Sequence, residues 1–206
     1  EKNMILLKRS ACLLLAGMFL LSAFVVVADN VTAEVPEPEW QEATPLPYPV
    51  YLAATVQDDD HHLYIIGGRE GIGTAAYDKM TLYDLETEEV SELAQLPVGV
   101  SGASAAMGQD GRAYVFGGKN LTLPNIYQDK VQIYDPTTDS WSLGAAMGDA
   151  CTMSEAVAMP NGLIYVISGM NETTDPSLPT GVVQIYDPVE DSWSTGISML
   201  DSRYSG

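Results

Sequence analysis

The stretch QIYDPTTDSW at residues 132–141 returns as QIYDPVEDSW at residues 184–193, and TLYDLETEEV at residues 81–90 is a weaker copy. The Tyr-Asp pairs begin at positions 83, 134 and 186, so their spacings are 51 and 52 residues. A tryptophan follows the tyrosine by seven positions in the second and third copies, whereas Val90 holds that place in the first. A period near fifty residues indicates a repeat architecture in which each copy is one supersecondary unit.

A second motif keeps the same period. LYIIGG at residues 63–68, AYVFGG at 113–118 and IYVISG at 164–169 precede the three Tyr-Asp motifs, with Ser168 in place of the first glycine of the third pair. Paired glycines after an apolar run predict a tight bend. The tyrosines and tryptophans are expected to fill the space between neighbouring repeats. The predicted structural landmarks are Gly67, Gly68, Gly117, Gly118, Gly169, Tyr83, Tyr134, Tyr186, Trp141 and Trp193.

Each repeat contains four short apolar or alternating runs bounded by turn residues, which predicts four antiparallel strands. Asp110-Gly111 and Asn161-Gly162 are two-residue hairpin signals, because such turns require positive φ. No helical apolar stripe follows residue 33. The predicted strands lie at 52–57, 62–67, 78–85 and 88–93, then at 102–108, 112–117, 129–136 and 139–143, and finally at 153–159, 162–168, 180–187 and 191–195.

Paired glycines, Tyr-Asp and Trp at a fifty-residue period resemble the Kelch family. The resemblance covers residues 40–206 and implies an all-β fold, a Kelch-type β-propeller built from four-stranded blades. Propellers close with about four to eight blades, so three blades predict an incomplete ring in a truncated member of the family. The blades are expected at about 51–100, 101–151 and 152–202, with the start of a further blade at 203–206.

Residues 1–33 are interpreted as a signal peptide or a signal anchor. Lys8 and Arg9 precede an uncharged run at residues 10–28, the pattern of an export segment, which predicts a hydrophobic helix ahead of the propeller. The basic flank should remain in the cytoplasm, so the domain should be extracellular or at the cell surface. Both a cleaved form and a form anchored by residues 10–28 remain open, and this segment is the only membrane contact expected.

Residues 34–50 contain Pro36, Pro38, Pro45, Pro47 and Pro49 and are predicted to form an extended lead-in. A strand around Trp40 lies one period before Val90, which makes it a candidate ring-closing strand of the last blade.

The formal net charge is −19, from 28 acidic and 9 basic residues. Such a surface repels the phosphates of nucleic acid, so nucleic-acid binding is not expected. Only Cys12 and Cys151 are present, and Cys12 lies in the export segment, so no disulfide is expected within the domain.

The expected binding face carries the loops between the second and third strands, at 69–78, 119–128 and 170–180, because they are longer and more varied than the other turns. The connections between blades share that face, and Ser101, Cys151 and Arg203 are predicted to be equivalent there. Kelch repeats often have arginine in that region, so of these three only Arg203 matches the family. The candidate binding residues are Arg69, Glu70, Lys119, Asn120, Asn171, Cys151 and Arg203.

No catalytic residues, metal site or cofactor is predicted. The run DDDHH at residues 58–62 resembles a metal cluster but aligns with hairpin turns, where neighbouring side chains rarely converge on one ion. His61 and His62 are the only histidines and lie on the opposite face from Cys151, so a Cys/His pair is not expected.

Two functions follow from these features. The first is a cell-surface or secreted module that binds an unknown protein or glycan through the long loops, without enzymatic activity. The alternative is an exported carbohydrate-modifying enzyme, sialic-acid epimerase-like or oxidase-like, whose catalytic residues lie in C-terminal blades beyond residue 206.

Overall fold

The computed structural model describes residues 42–58, 60–122, 126–171 and 179–203. Within these ranges the fold is all-β, which confirms the predicted class. The described ranges contain no helix long and apolar enough to cross a bilayer. The predicted hydrophobic helix, the rest of segment 1–33 and the strand around Trp40 lie outside the described residues.

Fourteen strands occur in the described part of the chain. They are β1 (Ala54–Gln57), β2 (His62–Ile66), β3 (Met80–Asp84), β4 (Val90–Leu93), β5 (Ser104–Met107), β6 (Ala113–Phe116), β7 (Val131–Asp135), β8 (Ser140–Gly144), β9 (Cys151–Thr152), β10 (Glu155–Ala158), β11 (Ile164–Ile167), β12 (Met170–Asn171), β13 (Val183–Asp187) and β14 (Ser192–Thr195).

Twelve of these strands form three antiparallel sheets of four, which confirms one blade per repeat. The first blade is β1–β4, the second is β5–β8, and the third is β10, β11, β13 and β14 in that order. Each sheet is a simple meander, because consecutive strands pair with one another. The first strands of the blades, β1, β5 and β10, contact one another in sequence. The blades therefore meet at their inner strands, as propeller blades do.

The core consists of two seams between blades rather than one central cluster. The seam between the first and second blades buries Tyr64 and Ile66 against Val115 and Tyr134. The seam between the second and third blades buries Phe116 and Ile133 with Val166 and Tyr186. Strand β6 of the middle blade is buried at all four positions, because each of its faces packs against a neighbouring blade. The sheets are thus stabilised chiefly by burial of apolar side chains against the next sheet.

The glycine pairs follow the second strand of each blade and adopt positive φ. Gly67 and Gly68 have φ values of +64° and +86°, and Gly117 and Gly118 have +62° and +95°. A Cβ on Gly67 would lie 2.4 Å from the carbonyl oxygen of Val100, in the connection to the next blade. Only glycine satisfies both the backbone conformation and this close approach.

Two short strands were absent from the sequence prediction. Strand β9 follows the second blade and pairs with β12, which lies just after the third glycine pair. The same contact exists in the other blades as isolated bridges, Tyr51 with Arg69 and Ser101 with Lys119. These pairings tie the entry of each blade to the end of its own second strand.

Each following blade also holds the connection that leaves its predecessor. Trp141 Nε1 donates to the carbonyl oxygen of Ala94 at 2.8 Å, while Asp139 Oδ1 accepts from the Ala94 amide at 2.8 Å. Trp193 and Asp191 bind the two backbone groups of Ala145 in the same way, at 2.9 and 2.6 Å. Both tryptophans therefore lie between consecutive blades.

A buried glutamine makes a second contact of this kind. Gln132 accepts from the amide of Val98 at 2.8 Å and donates to its carbonyl oxygen at 3.0 Å. Gln184 binds both backbone groups of Asp149 at 2.9 Å. An amide side chain satisfies a backbone donor and acceptor together, which a buried connection requires.

The first blade departs from this pattern. Thr81 occupies the glutamine position, and its hydroxyl is 2.6 Å from that of Tyr48 in the lead-in. Val90 occupies the tryptophan position and has no indole to donate. Tyr83, predicted to fill a space between blades, is only half-buried, and its buried hydroxyl has no hydrogen-bond partner among the described residues. Tyr134 and Tyr186 lie in the seams between blades. Tyr83 lies in neither seam, because no blade precedes the first one among the described residues, which corrects the expectation for this residue.

Candidate functional site

The connections between strands lie on two opposite sides of the sheets. Within the described residues, the short-turn face consists of Asp58 and the turn residues 60–61, 85–89, 108–112, 136–139, 159–163 and 188–191, with the strand-end residues Asp84, Asp135 and Asp187. The long-loop face consists of the described connection residues 46–53, 67–79, 94–103, 117–122, 126–130, 145–154, 168–171, 179–182 and 196–203.

Charge is divided unequally between these faces. Among the described residues, the short-turn face carries twelve acidic residues and one basic residue, Arg112. The long-loop face carries five acidic and five basic residues; the basic ones are Arg69, Lys79, Lys119, Lys130 and Arg203. Within the described ranges, the net charge is therefore strongly negative on one face and balanced on the other, which composition alone does not reveal.

Arg69 and Lys119 occupy equivalent places in the first and second blades. Each directly follows a glycine pair and makes a β-bridge to the entry of its own blade. The Arg69 guanidinium lies 5.6 Å from the ring centre of Tyr51, and Lys119 Nζ lies 5.3 Å from that of Tyr127. Cation–π contacts at these distances hold both charges in place without neutralising them. Arg69 Nε is buried and has no hydrogen-bond partner among the described residues.

Glu70 and Arg203 are exposed on the same face. The backbone of Arg203 is hydrogen-bonded on both sides, because its carbonyl oxygen accepts from the Gly169 amide at 3.2 Å and its amide donates to the Ser168 hydroxyl at 3.3 Å. Its side chain belongs to the surface.

Asn120 and Asn171 are buried, with 6% and 2% of their surface exposed. Asn120 Nδ2 donates to the carbonyl oxygen of Gly99 at 2.6 Å, and its Oδ1 accepts from the amide and hydroxyl of Thr122 at 3.0 and 2.7 Å. Asn171 pairs with Cys151 in the β12–β9 ladder. Both side chains belong to the scaffold beneath the loops, which corrects their expected place on the binding surface.

Cys151 is likewise an interior residue. Its side chain is 2% exposed and belongs to the seam between the second and third blades. Burial raises the pKa of the thiol to about 11, so the thiol stays neutral and is a poor nucleophile at physiological pH.

The backbone of Cys151 shows which residues are equivalent between blades. The carbonyl oxygen of Cys151 accepts from the Gly118 amide at 2.7 Å, as the carbonyl oxygen of Val100 accepts from the Gly68 amide at 2.8 Å. Val100, rather than Ser101, is thus the equivalent of Cys151 and Arg203, so the predicted alignment was one residue out of register.

A well-formed concavity lies on the short-turn face, which the sequence did not indicate. It is a groove of about 840 Å³ that crosses the turns of all three blades. Its walls include apolar side chains of Leu82, Leu93, Met107 and Met159, and its rim includes Asp60. Such a volume is within the usual range for small-ligand sites.

Asp58, Asp60 and His62 line one wall of this groove, where the chain turns from β1 into β2. Asp58 Oδ1 accepts from the amides of Asp60 and His62, both at 3.0 Å, while Oδ2 lies 3.0 Å from His62 Nδ1 and accepts from the Tyr64 hydroxyl at 3.0 Å. Burial raises the pKa of Asp58, but these hydrogen bonds outweigh it and hold the pKa below its ordinary value. The hydrogen bond to Asp58 raises the pKa of His62. No group of three or more acidic, histidine or cysteine side chains in the described ranges is arranged to hold a metal ion.

Comparison with known proteins agrees with this architecture. The model of the KLHDC2/KLHL20/DRC7 Kelch-repeats domain matches residues 21–201. Kelch-like protein 35 of Mus musculus is 30% identical over 152 residues, which are 68% of this chain and 24% of that protein. An N-acetylneuraminate epimerase of Pasteurella multocida (strain Pm70) is 30% identical over 112 residues, which are 50% of this chain and 28% of the epimerase.

A solved structure described as that of YjhT superimposes with a TM-score of 0.64 at 21% identity, over 77% of this chain and 54% of the other. The chain spans between 10% and 33% of the length of the curated relatives it matches. The matched domain covers most of the sequence, and both repeat landmarks and blade topology agree with it. The chain belongs to the Kelch-repeat family and folds as blades of a β-propeller.

Proposed function

We propose that this protein is a binding module that recognises a protein or glycan partner through its long-loop face, outside the cell or at its surface. The observation that carries the proposal is the gathering of basic side chains on that face in a chain of net charge −19. Five of the six basic residues in the described ranges lie there. Recognition commonly resides in loops that a rigid scaffold positions.

Arg69 and Lys119 are the residues we assign to partner contact. Both follow a rigid glycine pair, both are bridged to the blade entry, and both rest on an aromatic ring. Preorganised side chains lose little conformational entropy on binding, so their hydrogen bonds contribute more to affinity. Exposed Glu70 and Arg203 are candidates for the surrounding rim, where contacts contribute less.

The test compares basic residues on the two faces. The parent chain is screened against glycan and cell-surface protein arrays, and any ligand found is titrated against Arg69→Ser, Lys119→Ser and the double variant. We expect the double variant to weaken binding by about tenfold or more, since truncation of a central interface residue costs about 1–2 kcal/mol. The matched control for each single variant is Arg112→Ser, which removes one positive charge from the short-turn face. Equal weakening by Arg112→Ser, or no effect of the double variant, would contradict the assignment.

A carbohydrate-modifying enzyme is the second candidate, supported by 30% identity over half of this chain to an N-acetylneuraminate epimerase. Proton NMR of N-acetylneuraminate incubated with the longest available form of the chain distinguishes the two functions. If the protein is only a binding module, the epimers of N-acetylneuraminate should interconvert at the uncatalysed rate. If it is an enzyme, their interconversion should accelerate in proportion to protein concentration.

A further inference from the structure

We propose that the groove on the short-turn face is a second binding site, which takes a short peptide segment carrying lysine or arginine side chains. The site lies on the opposite side of the blades from the long-loop face and does not depend on the function proposed above.

Shape is the first argument. The groove is a trough of about 840 Å³ whose walls come from all three blades. Gln109 bridges the second and third blades at its edge, because Nε2 donates to the carbonyl oxygens of Met159 and Pro160 at 3.3 and 2.8 Å. Hydrogen bonds in the turn at Asp58 fix the opposite wall. The trough is therefore a formed feature of the face rather than a gap between loosely placed loops.

The chemistry of the wall is the second argument. Leu82, Leu93, Met107 and Met159 supply apolar surface, and 42% of the Met159 side chain is exposed. An aliphatic stem gains free energy on such a surface, at roughly 25 cal/mol per Å² of apolar area buried. Lysine and arginine carry stems of this kind below a charged head.

Charge is the third argument, and it indicates that the ligand is positively charged. The described residues of this face carry twelve acidic side chains, and the single basic one, Arg112, is already paired with Asp110 at 2.6 Å. Asp60 is exposed on the groove rim. Such a field attracts cations and repels anionic ligands. An apolar trough in an acidic face therefore fits a basic peptide.

The test uses a fluorescein-labelled seven-residue peptide of alternating lysine and leucine. A second labelled peptide, in which glutamate replaces each lysine, carries the opposite charge. Fluorescence anisotropy measures its affinity for the full chain. The groove variant is Asp60→Lys with Met159→Lys. The matched control is Glu190→Lys with Val189→Lys, which makes the same charge change at an exposed turn of the same face that does not line the groove.

We expect the parent to bind the lysine peptide and not the glutamate peptide, the groove variant to bind about tenfold or more weakly, and the control to change affinity by about threefold or less. Equal weakening in both variants would show attraction by the whole face and would overturn the site. Equal binding of both peptides, or of neither, would also overturn it.

A measurement on the unmodified chain tests the site without depending on the folding of a variant. His62 lines the groove, whereas His61 is exposed outside it and lies 3.8 Å from Glu86. Titration with the lysine peptide is expected to shift the ring proton resonances of His62 more than those of His61. Similar shifts of both histidines, or none, would contradict the proposed site.

Discussion

At the scale of the residue, the glycine pairs determine how closely consecutive blades approach. The amides of Gly68 and Gly118 donate to the connection that leads into the next blade. Ser168 takes the same positive φ, +62°, in the third blade and compensates with a hydroxyl that donates to the carbonyl oxygen of Thr180 at 2.6 Å. A left-handed serine costs about 1–2 kcal/mol. The repeat therefore tolerates one departure where a hydrogen bond offsets the backbone cost.

We predict that Gly67→Ala lowers the free energy of unfolding by about 3 kcal/mol, because the added Cβ meets the Val100 carbonyl oxygen in addition to the cost of positive φ. Gly73→Ala should cost only about 1 kcal/mol, since its φ is +80° but nothing lies within 4 Å. Gly71→Ala, in open space without positive φ, should change stability by less than about 0.5 kcal/mol. Urea unfolding of the three variants gives the order of their free energies of unfolding. Equal losses of stability in all three would contradict the proposed role of Gly67.

The sequence predicted where the loop residues lie along the chain but not which side chains reach the surface. Asn120 is held inside by the carbonyl oxygen of Gly99, and Cys151 by a seam between two blades. Both contacts depend on tertiary geometry, so local composition carried no sign of them. Arg69 and Lys119 lie on the expected face, where each contacts an aromatic ring and forms no ion pair with the described residues.

At the scale of the element, one blade holds the backbone of the blade before it. Asp191 and Trp193 bind the two backbone groups of Ala145, and Gln184 binds those of Asp149. Buried backbone groups need partners, and the following blade supplies them from its third and fourth strands. The first blade has Thr81 and Val90 at these positions, so it cannot hold a preceding connection in the same way.

We predict an acid-sensitive contribution from this contact. The amide of Ala145 and the hydroxyl of Tyr186 donate to Asp191 and lower its pKa. A carboxyl group with a lowered folded-state pKa stabilises the fold above its unfolded pKa, and this stabilisation is lost as the pH falls through the folded value. The urea midpoint of the parent should exceed that of Asp191→Asn at pH 7, and the difference should disappear towards pH 2. A difference that persists unchanged at pH 2 would contradict this.

The sequence predicted the twelve blade strands to within about three residues at each end. It missed β9 and β12, because a two-residue strand has no periodicity. It also identified Trp141 and Trp193 as contacts between blades while overlooking Gln132 and Gln184, whose recurrence 52 residues apart was visible in both QIYDP motifs. A buried polar position in a repeat is recognisable in sequence only when its partner is known.

At the scale of the whole molecule, the blades separate two surfaces of different charge. The net charge of −19 follows from composition, but its concentration on the short-turn face follows from the meander, which sends alternate connections to opposite sides. The different charges of the two faces, counted over the described residues, are therefore a consequence of topology. The two proposed sites lie on opposite faces, so they are separable by experiment.

Both surfaces exist only if each repeat is a blade and the second and third blades bind the backbone of the blade before them. Solvent exchange of the tryptophan indole protons, measured by ¹⁵N NMR and assigned with Trp→Phe variants, tests this most directly. We predict that Nε1–H of Trp141 and Trp193 exchanges at least about tenfold more slowly than that of free tryptophan, because each is donated to a carbonyl oxygen of the preceding blade. Exchange of both at the rate of free tryptophan would contradict the packing of the blades and, with it, both proposed surfaces.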